Sequence, residues 1–307
     1  MPRYAYLGPE ATFAEQALLT LPEAREAELV PARGVPEALD AVRAGEVDAA
    51  LVPIENSVEG SVPVTLDELA TGEALVVVRE VVLPVTFVLA GRQSMTLPAV
   101  RTVASHPHAL AQCRRWLREN LPAATAADAL STAAAATAAA AGEVDAGICA
   151  PLAADRNGLA VLAADIGDRK GAVTRFVLAT RPRAAPAPTG DDVTSLAVFI
   201  AHDRVGALLA VLTELAVRGV NLTRIESRPT GERLGRYVFF LDCSGHIAEA
   251  RMGEALSGLH RVCADVRFIG SYPRAGHDGP IASPPGATDG DFADAAAWLA
   301  RLRAGNV

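Results

Sequence analysis

Two short stretches of the chain carry side chains able to do chemistry on a small polar molecule. The first is Glu55-Asn56-Ser57, a carboxylate, an amide and a hydroxyl in succession, followed by Glu59-Gly60-Ser61. It comes directly after Ala49 to Ile54, an apolar run interrupted only by Pro53. Such a run suits a fully buried strand of a parallel sheet. In open α/β sheets ligands bind beyond the carboxyl ends of the strands, where loops hold the polar groups. The second stretch is Gly171 to Leu178, in which Thr174 and Arg175 interrupt an otherwise apolar strand. A charged arginine in a buried strand is costly unless paired. Arg175 therefore faces either an anion or a carboxylate such as Glu55 or an aspartate of the loop before it. A third candidate, Ser105-His106-Pro107-His108, places two histidines two residues apart. No carboxylate or cysteine stands at ligand spacing from them, so this is turn chemistry and no metal is expected.

Positioning these groups falls to a repeated element. The pentapeptide GEVDA opens the strand before Glu55 and recurs at Gly142 to Ala146, followed there by the apolar Gly147 to Ala150 and by Pro151. A repeat this distant is too long in period for a solenoid and implies two lobes of like construction, with a cleft between them. Arg3 to Leu7 reads as a strand turned by Gly8-Pro9, with Thr12 capping a helix that is apolar at Ala14, Ala17, Leu18 and Leu21. Helices are expected over Val35 to Ala44 and Val64 to Ala70. Leu75 to Leu89 is β-rich and is expected to cross into the second lobe. That lobe should hold a strand over Val100 to Ala104, a helix from Ala109 to Glu119, and an Ala-rich helix from Asp128 to Ala141 with Ser131-Thr132 near its start.

At 307 residues the chain is long enough for more than one domain. Its formal net charge of −8 argues against nucleic acid, since no basic stripe is available to neutralise a run of phosphates. Cys113, Cys149, Cys243 and Cys263 show no CxxC spacing, so free thiols in a reducing compartment are expected. The N-terminus lacks a signal-peptide core, and no apolar run of ~18 residues suggests a membrane span. A cytoplasmic protein is expected, with no membrane partner.

Arg181 to Asp192 is rich in Pro, Ala and charge and reads as a semi-rigid linker. Beyond it the pattern becomes strand, helix, strand, strand, helix, strand. Leu196 to Ala201 is followed by a helix carrying Val205, Leu208, Leu209, Leu212 and Leu215 on one face. Leu222 to Ser227 and Tyr237 to Leu241 form paired strands, a second helix follows, and Val266 to Ser271 closes the sheet. This is a ferredoxin-like βαββαβ unit. Pro273 to Asp291 is Pro/Gly-rich and expected to lack order, ahead of a short amphipathic helix over Phe292 to Arg303.

The motifs YLGPEATFAEQA, ALVPIENSVEGSV with TLDEL after it, SHPHALAQC, STAAAA and VTRFVL follow the order and spacing of the prephenate dehydratase family, which the chain resembles from Arg3 to Tyr272. GALLAVLTELAVRGVNLTRIESRP resembles the phenylalanine-responsive ACT domain fused to that enzyme. Two positions depart from the family pattern: Ala11 stands where glycine is usual, and His108 where glutamine is usual. The resemblance implies an α/β fold, a two-lobed, periplasmic-binding-protein-like (type II) catalytic domain plus a ferredoxin-like ACT domain. It implies a catalytic domain over residues 1–180 (lobe one 1–80 and 171–180, lobe two 81–170), a linker over 181–192, an ACT domain over 193–272 and a flexible tail over 273–307.

It further implies the chemistry. Prephenate, a dianion, loses its ring carboxylate as carbon dioxide and its C4 hydroxyl as water to give phenylpyruvate. Aromatisation drives the reaction, so no cofactor is expected. Thr174 matches the family's essential threonine. Arg175 would hold a carboxylate or orient the loop, and Phe176 would shield the cleft wall. Thr12, Asn56, Ser57, Ser105 and Thr132 would supply neutral donors to the substrate. Glu55 is read as the structural partner of an arginine or of backbone amides, because a third anion beside a dianion is unfavourable. In the ACT segment Gly206, Ala207, Leu208 and Asn221, with Glu226, Ser227 and Arg228, would bind phenylalanine. The chain would form a homo-dimer or homo-tetramer through its ACT domains. Two alternatives stay open: an arogenate dehydratase, and a non-catalytic amino-acid sensor.

Overall fold

The computed structural model describes residues 1–200, 205–231, 236–276, 279 and 282–306. Its chain divides into two compact units, Met1–Glu68 with Val81–Ala179, and Leu69–Glu80 with Thr180–Val307.

The first unit is built from two lobes, and the GEVDA repeat shows why they are alike. In lobe one, β1 (Arg3–Leu7), α1 (Phe13–Leu19), β2 (Glu28–Ala32), α2 (Val35–Arg43) and β3 (Ala49–Asn56) form parallel β1–β2 and β1–β3 pairs. The short β4 (Gly60–Ser61) folds back on β3, and α3 (Pro63–Ala70) follows. The chain leaves along β5 (Val76–Pro84) and enters a second sheet at β6 (Val88–Gly91). There β7 (Thr102–Ser105), α4 (Pro107–Gln112), α5 (Arg114–Asn120), β8 (Thr125–Asp128), α6 (Thr132–Ala141), β9 (Ala146–Cys149), α7 (Pro151–Arg156) and β10 (Ala160–Ala163) complete the second lobe. Its strand order is β10-β6-β9-β7-β8. The chain returns through β11 (Val173–Thr180), which lies beside β3.

Each GEVDA segment does the same local work. Gly45 and Gly142 follow α2 and α6 at φ 74° and 80°, the left-handed conformation that ends a helix and suits glycine. The aspartate three residues on then ties down the neighbouring strand. Asp48 accepts from the Arg3 N–H at 2.8 Å, and Asp145 accepts from the Arg101 and Thr102 N–H groups at 2.8 and 2.9 Å. These bonds hold Asp145 below the usual carboxylate range.

Local expectations and structure differ at several points. The helix expected over Ala109 to Glu119 is broken at Cys113 into α4 and α5, because Asp168, from a distant loop, caps α5 by accepting from the Arg115 and Trp116 N–H groups. The helix expected from Asp128 begins only at Thr132. Thr125–Asp128 pairs instead with β7 in parallel, an outcome of sheet assembly that helix propensity does not report. Strands β2 and β10 were not anticipated. Strand β2 accommodates Pro31 because it lies at an edge of its sheet, where a missing N–H is tolerated.

The second unit holds β12 (Asp192–Phe199), α8 (Ala207–Ala216), β13 (Leu222–Pro229), β14 (Tyr237–Ser244), α9 (Ala250–Val262) and β15 (Asp265–Pro273). The four strands are antiparallel in the order β13-β14-β12-β15, as the βαββαβ pattern requires. Ala201, the last residue of the strand expected there, lies outside the described residues. Val211, Leu215, Met252, Ala255 and Leu259 pack the two helices onto Leu196, Val198, Leu241 and Cys243. The helix face read as Val205, Leu208, Leu209, Leu212 and Leu215 is rotated from this: Val205 and Leu209 are exposed, and Val211 takes the core position. The last helix, α10 (Asp289–Arg303), starts at a Thr288–Asp291 capping box.

Candidate active site

Thr174 and Asn56 lie 118 residues apart and meet in the first unit. The Asn56 Nδ2 donates to Thr174 Oγ1 at 2.8 Å. Its Oδ1 accepts from the Val58 and Glu59 N–H groups at 2.8 and 3.1 Å, so the amide can be oriented only one way. Ser57 completes the junction: its N–H donates to the Val173 carbonyl at 2.9 Å and its hydroxyl accepts from the Val173 N–H at 3.0 Å. The polar loop after β3 is thus tied to the start of β11, with a buried hydroxyl at their junction.

Strand alternation sorts the remaining groups. On β11, Thr174 and Phe176 share one face, both buried, and Arg175 points to the other. On β3, Asn56 and Glu55 are sorted in the same way. Arg175 Nη1 accordingly stands 3.8 Å from Glu55 Oε2, as one of the two alternatives from sequence had it.

The other candidates fall into two groups. Thr12 caps α1 and is nearly buried, and its hydroxyl donates to the Leu7 carbonyl at 2.8 Å. Ser105 is fully buried and donates to the Ile148 carbonyl at 2.6 Å. Neither proton is available to a ligand. Thr132 differs. It is the first residue of α6, after the capping Ser131, and its half-buried hydroxyl has no partner among the described residues. Thr12 and Thr132 adjoin Ala11 and Ala133, which share one buried cluster.

Several residues that join the lobes, Glu15, Arg156, Phe13, Phe87 and Gln112 among them, were not singled out from sequence. Glu15, almost fully buried, receives Arg156 through both guanidinium nitrogens at 2.8 and 2.6 Å and also accepts from the Ala11 N–H. Burial, and then the Glu15 charge, push the neighbouring Tyr6 hydroxyl far up. Phe13 of lobe one packs edge-on against Phe87 of lobe two, with centroids 5.5 Å apart. On another side Glu59 lies 3.3 Å from His108 and 3.1 Å from Gln112. His108 stacks on His106, whose pKa is lowered by burial and then by His108. A lone arginine on a short Ala-rich helix was the only signal for Arg156.

In the second unit Gly206 caps α8 at φ 81° without a side-chain bond, so the first N–H groups of the helix, at Ala207 and Leu208, lack a capping side chain. The Asn221 carbonyl accepts from the Ser244 N–H, leaving its exposed side chain outward. Glu226, Ser227 and Arg228 lie on β13, with Glu226 2.6 Å from Arg224. Among the described residues no helix is long and apolar enough to cross a membrane.

Residues 4–184 match the family model for prephenate dehydratase and residues 194–260 the model for the ACT domain. A prephenate dehydratase of Amycolatopsis methanolica is 53% identical, with 99% of each chain covered. The crystal structure of prephenate dehydratase from Arthrobacter aurescens in complex with L-Phe superposes with a TM-score of 0.92 at 48% identity, covering 98% of this chain and 99% of that one. GqqA, described as a quorum-quenching acylase, has a TM-score of 0.77 at 28% identity, covering 89% and 98%.

Proposed function

The chain belongs to the prephenate dehydratase family, and from that premise we propose how its own residues convert prephenate to phenylpyruvate. Since the same fold also carries a differently named activity, the argument rests on the site. The observation that carries it is the Asn56–Thr174 bond. With one lone pair engaged by the amide, the Thr174 hydroxyl keeps its own proton to donate. Directed at the C4 hydroxyl of prephenate, it eases the departure of hydroxide by hydrogen-bond donation or proton relay, because an alcohol is too weak an acid to act alone. The ring carboxylate leaves as carbon dioxide, its bonding electrons enter the ring, and aromatisation drives the step.

Thr132 and the first N–H groups of α6 supply neutral donors to the substrate's carboxylates. Neutral donors suit a leaving carboxylate, since binding it too tightly would favour the ground state. Thr12, Ser105 and Ser57 shape the walls and the loop, and Phe176 screens the Thr174 face of β11 from water. Arg175, beside Glu55 on the opposite face, orients the loop that carries Asn56. Thr174→Ala should lower kcat by about 10²-fold with little change in KM, while Thr174→Ser retains much of the rate. Near-normal turnover of the alanine variant, with an unshifted unfolding transition, would sink the assignment. Parallel assays with prephenate and arogenate identify the preferred side chain of the substrate.

The ACT match, and the L-Phe complex of the Arthrobacter relative, support phenylalanine as an effector of this chain. Its carboxylate would take the amides at Gly206, Ala207 and Leu208, its amino group Asn221, with Glu226, Ser227 and Arg228 on the adjoining strand. The exposed edge of β13 would pair subunits into a homo-dimer or homo-tetramer. Four unpaired thiols fit a cytoplasmic location.

A further inference from the structure

A hydrogen-bonded path runs from the second lobe to Thr174 through Glu59. We propose that Glu59 is a positioning residue that makes the Thr174 hydroxyl fully competent only when the two lobes close on the substrate. The inference rests on the assignment of Thr174 made above.

The path has three links. On the second lobe, α4 presents His108 Nδ1 at 3.3 Å from Glu59 Oε2 and Gln112 Nε2 at 3.1 Å from Glu59 Oε1. Glu59 itself sits in the turn after β3, and its backbone N–H donates to Asn56 Oδ1 at 3.1 Å beside the Val58 N–H at 2.8 Å. The same amide then donates through Nδ2 to Thr174 Oγ1 at 2.8 Å. Because the turn holds both acceptor sites of the Asn56 amide, the direction of Nδ2 follows the conformation of that turn. What α4 does to the Glu59 side chain is therefore felt at Thr174.

A second contact between the lobes indicates which side opens. At Glu15 and Arg156 the ion pair is bidentate and the carboxylate is buried, with Ala11 seated among lobe-two residues and Phe13 against Phe87. Parting those groups would strand a buried charge. The Glu59 and His108 side chains are 41% and 65% exposed, so water can replace their contact at small cost. The Glu15–Arg156 contact is therefore the costlier of the two to part, and the Glu59 contact the one that breaks and re-forms more readily.

The test compares kcat and KM for prephenate in the full chain for Glu59→Ala, Glu59→Gln, Thr174→Ala, the double variant Glu59→Ala/Thr174→Ala, and the paired His108→Ala/Gln112→Ala, with thermal unfolding as the folding check. Glu59→Ala should lower kcat about 10-fold with a smaller change in KM, and Glu59→Gln, which keeps an acceptor for α4, should recover most of it. The paired variant, cut from the other lobe, should reproduce Glu59→Ala, and it carries the test if that variant does not fold. The double variant should turn over no more slowly than Thr174→Ala, since Glu59 acts only through the lost hydroxyl. A further slowing in the Thr174→Ala background, or an unchanged kcat on removing Glu59 or its α4 partners, overturns the proposal. Near-normal turnover of Thr174→Ala alone overturns instead the assignment beneath it.

Discussion

At Ala11 the backbone takes φ 64°, a left-handed conformation that costs an L side chain about 1–2 kcal/mol. This accounts for the glycine usual at that position in the family. Against the strain stand the buried methyl group, worth ~0.8 kcal/mol, and the extra freedom a glycine gives the unfolded chain, worth ~0.4–1 kcal/mol. The terms nearly cancel. Ala11→Gly should therefore change stability by less than about 1 kcal/mol, whereas Ala11→Val, β-branched at positive φ in a closed cluster, should lose more than about 2 kcal/mol. Urea denaturation of both variants measures this. The cysteines yield a second prediction at this scale. Burial pushes the Cys113, Cys149 and Cys243 thiols up to about 12. Only the thiolate is nucleophilic, so near pH 8 these three should resist a thiol reagent in the native protein. Cys263, only partly buried and pushed up less by burial, should be the first to react, and all four should titrate in denaturant; rapid native labelling at two or more sites would contradict the burial argument.

Among the elements, α6 and β9 show why the second lobe is so rich in alanine. A Cβ on Gly147 would stand 2.6 Å from the Ala135 carbonyl oxygen, so helix and strand approach more closely than larger side chains permit. Gly147→Ala should cost about 1–3 kcal/mol, because backbone rather than a flexible side chain would have to move. Helix α8 presents the opposite case. Among the described residues a Cβ on Gly206 would meet nothing within 4 Å, so they offer no crowding to a substitution there. The strain comes from the φ of 81° itself. Gly206→Val should therefore unwind the helix start, weaken the phenylalanine response about 10-fold or more, within ordinary coupling energies, and leave turnover without effector intact. Inhibition curves for the two proteins decide it, and equal potency would remove Gly206 from the effector site.

For the whole molecule, the division into units changes how regulation should be tested. Leu69–Glu80 clusters with the second unit. There Arg267 donates to the Ala70 and Gly72 carbonyls, the Ala275 N–H donates to the buried Glu80, and Gly270 pairs with Val77. A chain cut after Thr180 would lose all of these, so lost activity in such a fragment would report damage to Leu69–Glu80 as readily as lost regulation. The response belongs to full-length variants. If phenylalanine and substrate are coupled by ~1–3 kcal/mol, linkage requires that substrate weaken phenylalanine binding by the same factor. Calorimetric titration of phenylalanine with and without a bound substrate analogue should show that reciprocal loss, and light scattering should give an even number of subunits.

The sequence by itself determined the elements whose causes are local. The Thr12 and Ser131 caps, the left-handed glycines after α2 and α6, and the aspartates of the two GEVDA segments all act on near neighbours or at repeated offsets. The motif order likewise carried the family. Only the tertiary structure decided which side chains meet and which protons remain free. Asn56 reaches Thr174 across 118 residues and Arg156 reaches Glu15 across 141, while Thr12 and Ser105, donors by type, spend their protons on carbonyls. Such pairings depend on sheet order and register, and a slip of one residue turns a strand's side chains to the opposite face. Residue type and spacing along the chain do not encode that choice, because the contacts that enforce it come from strands far apart in sequence.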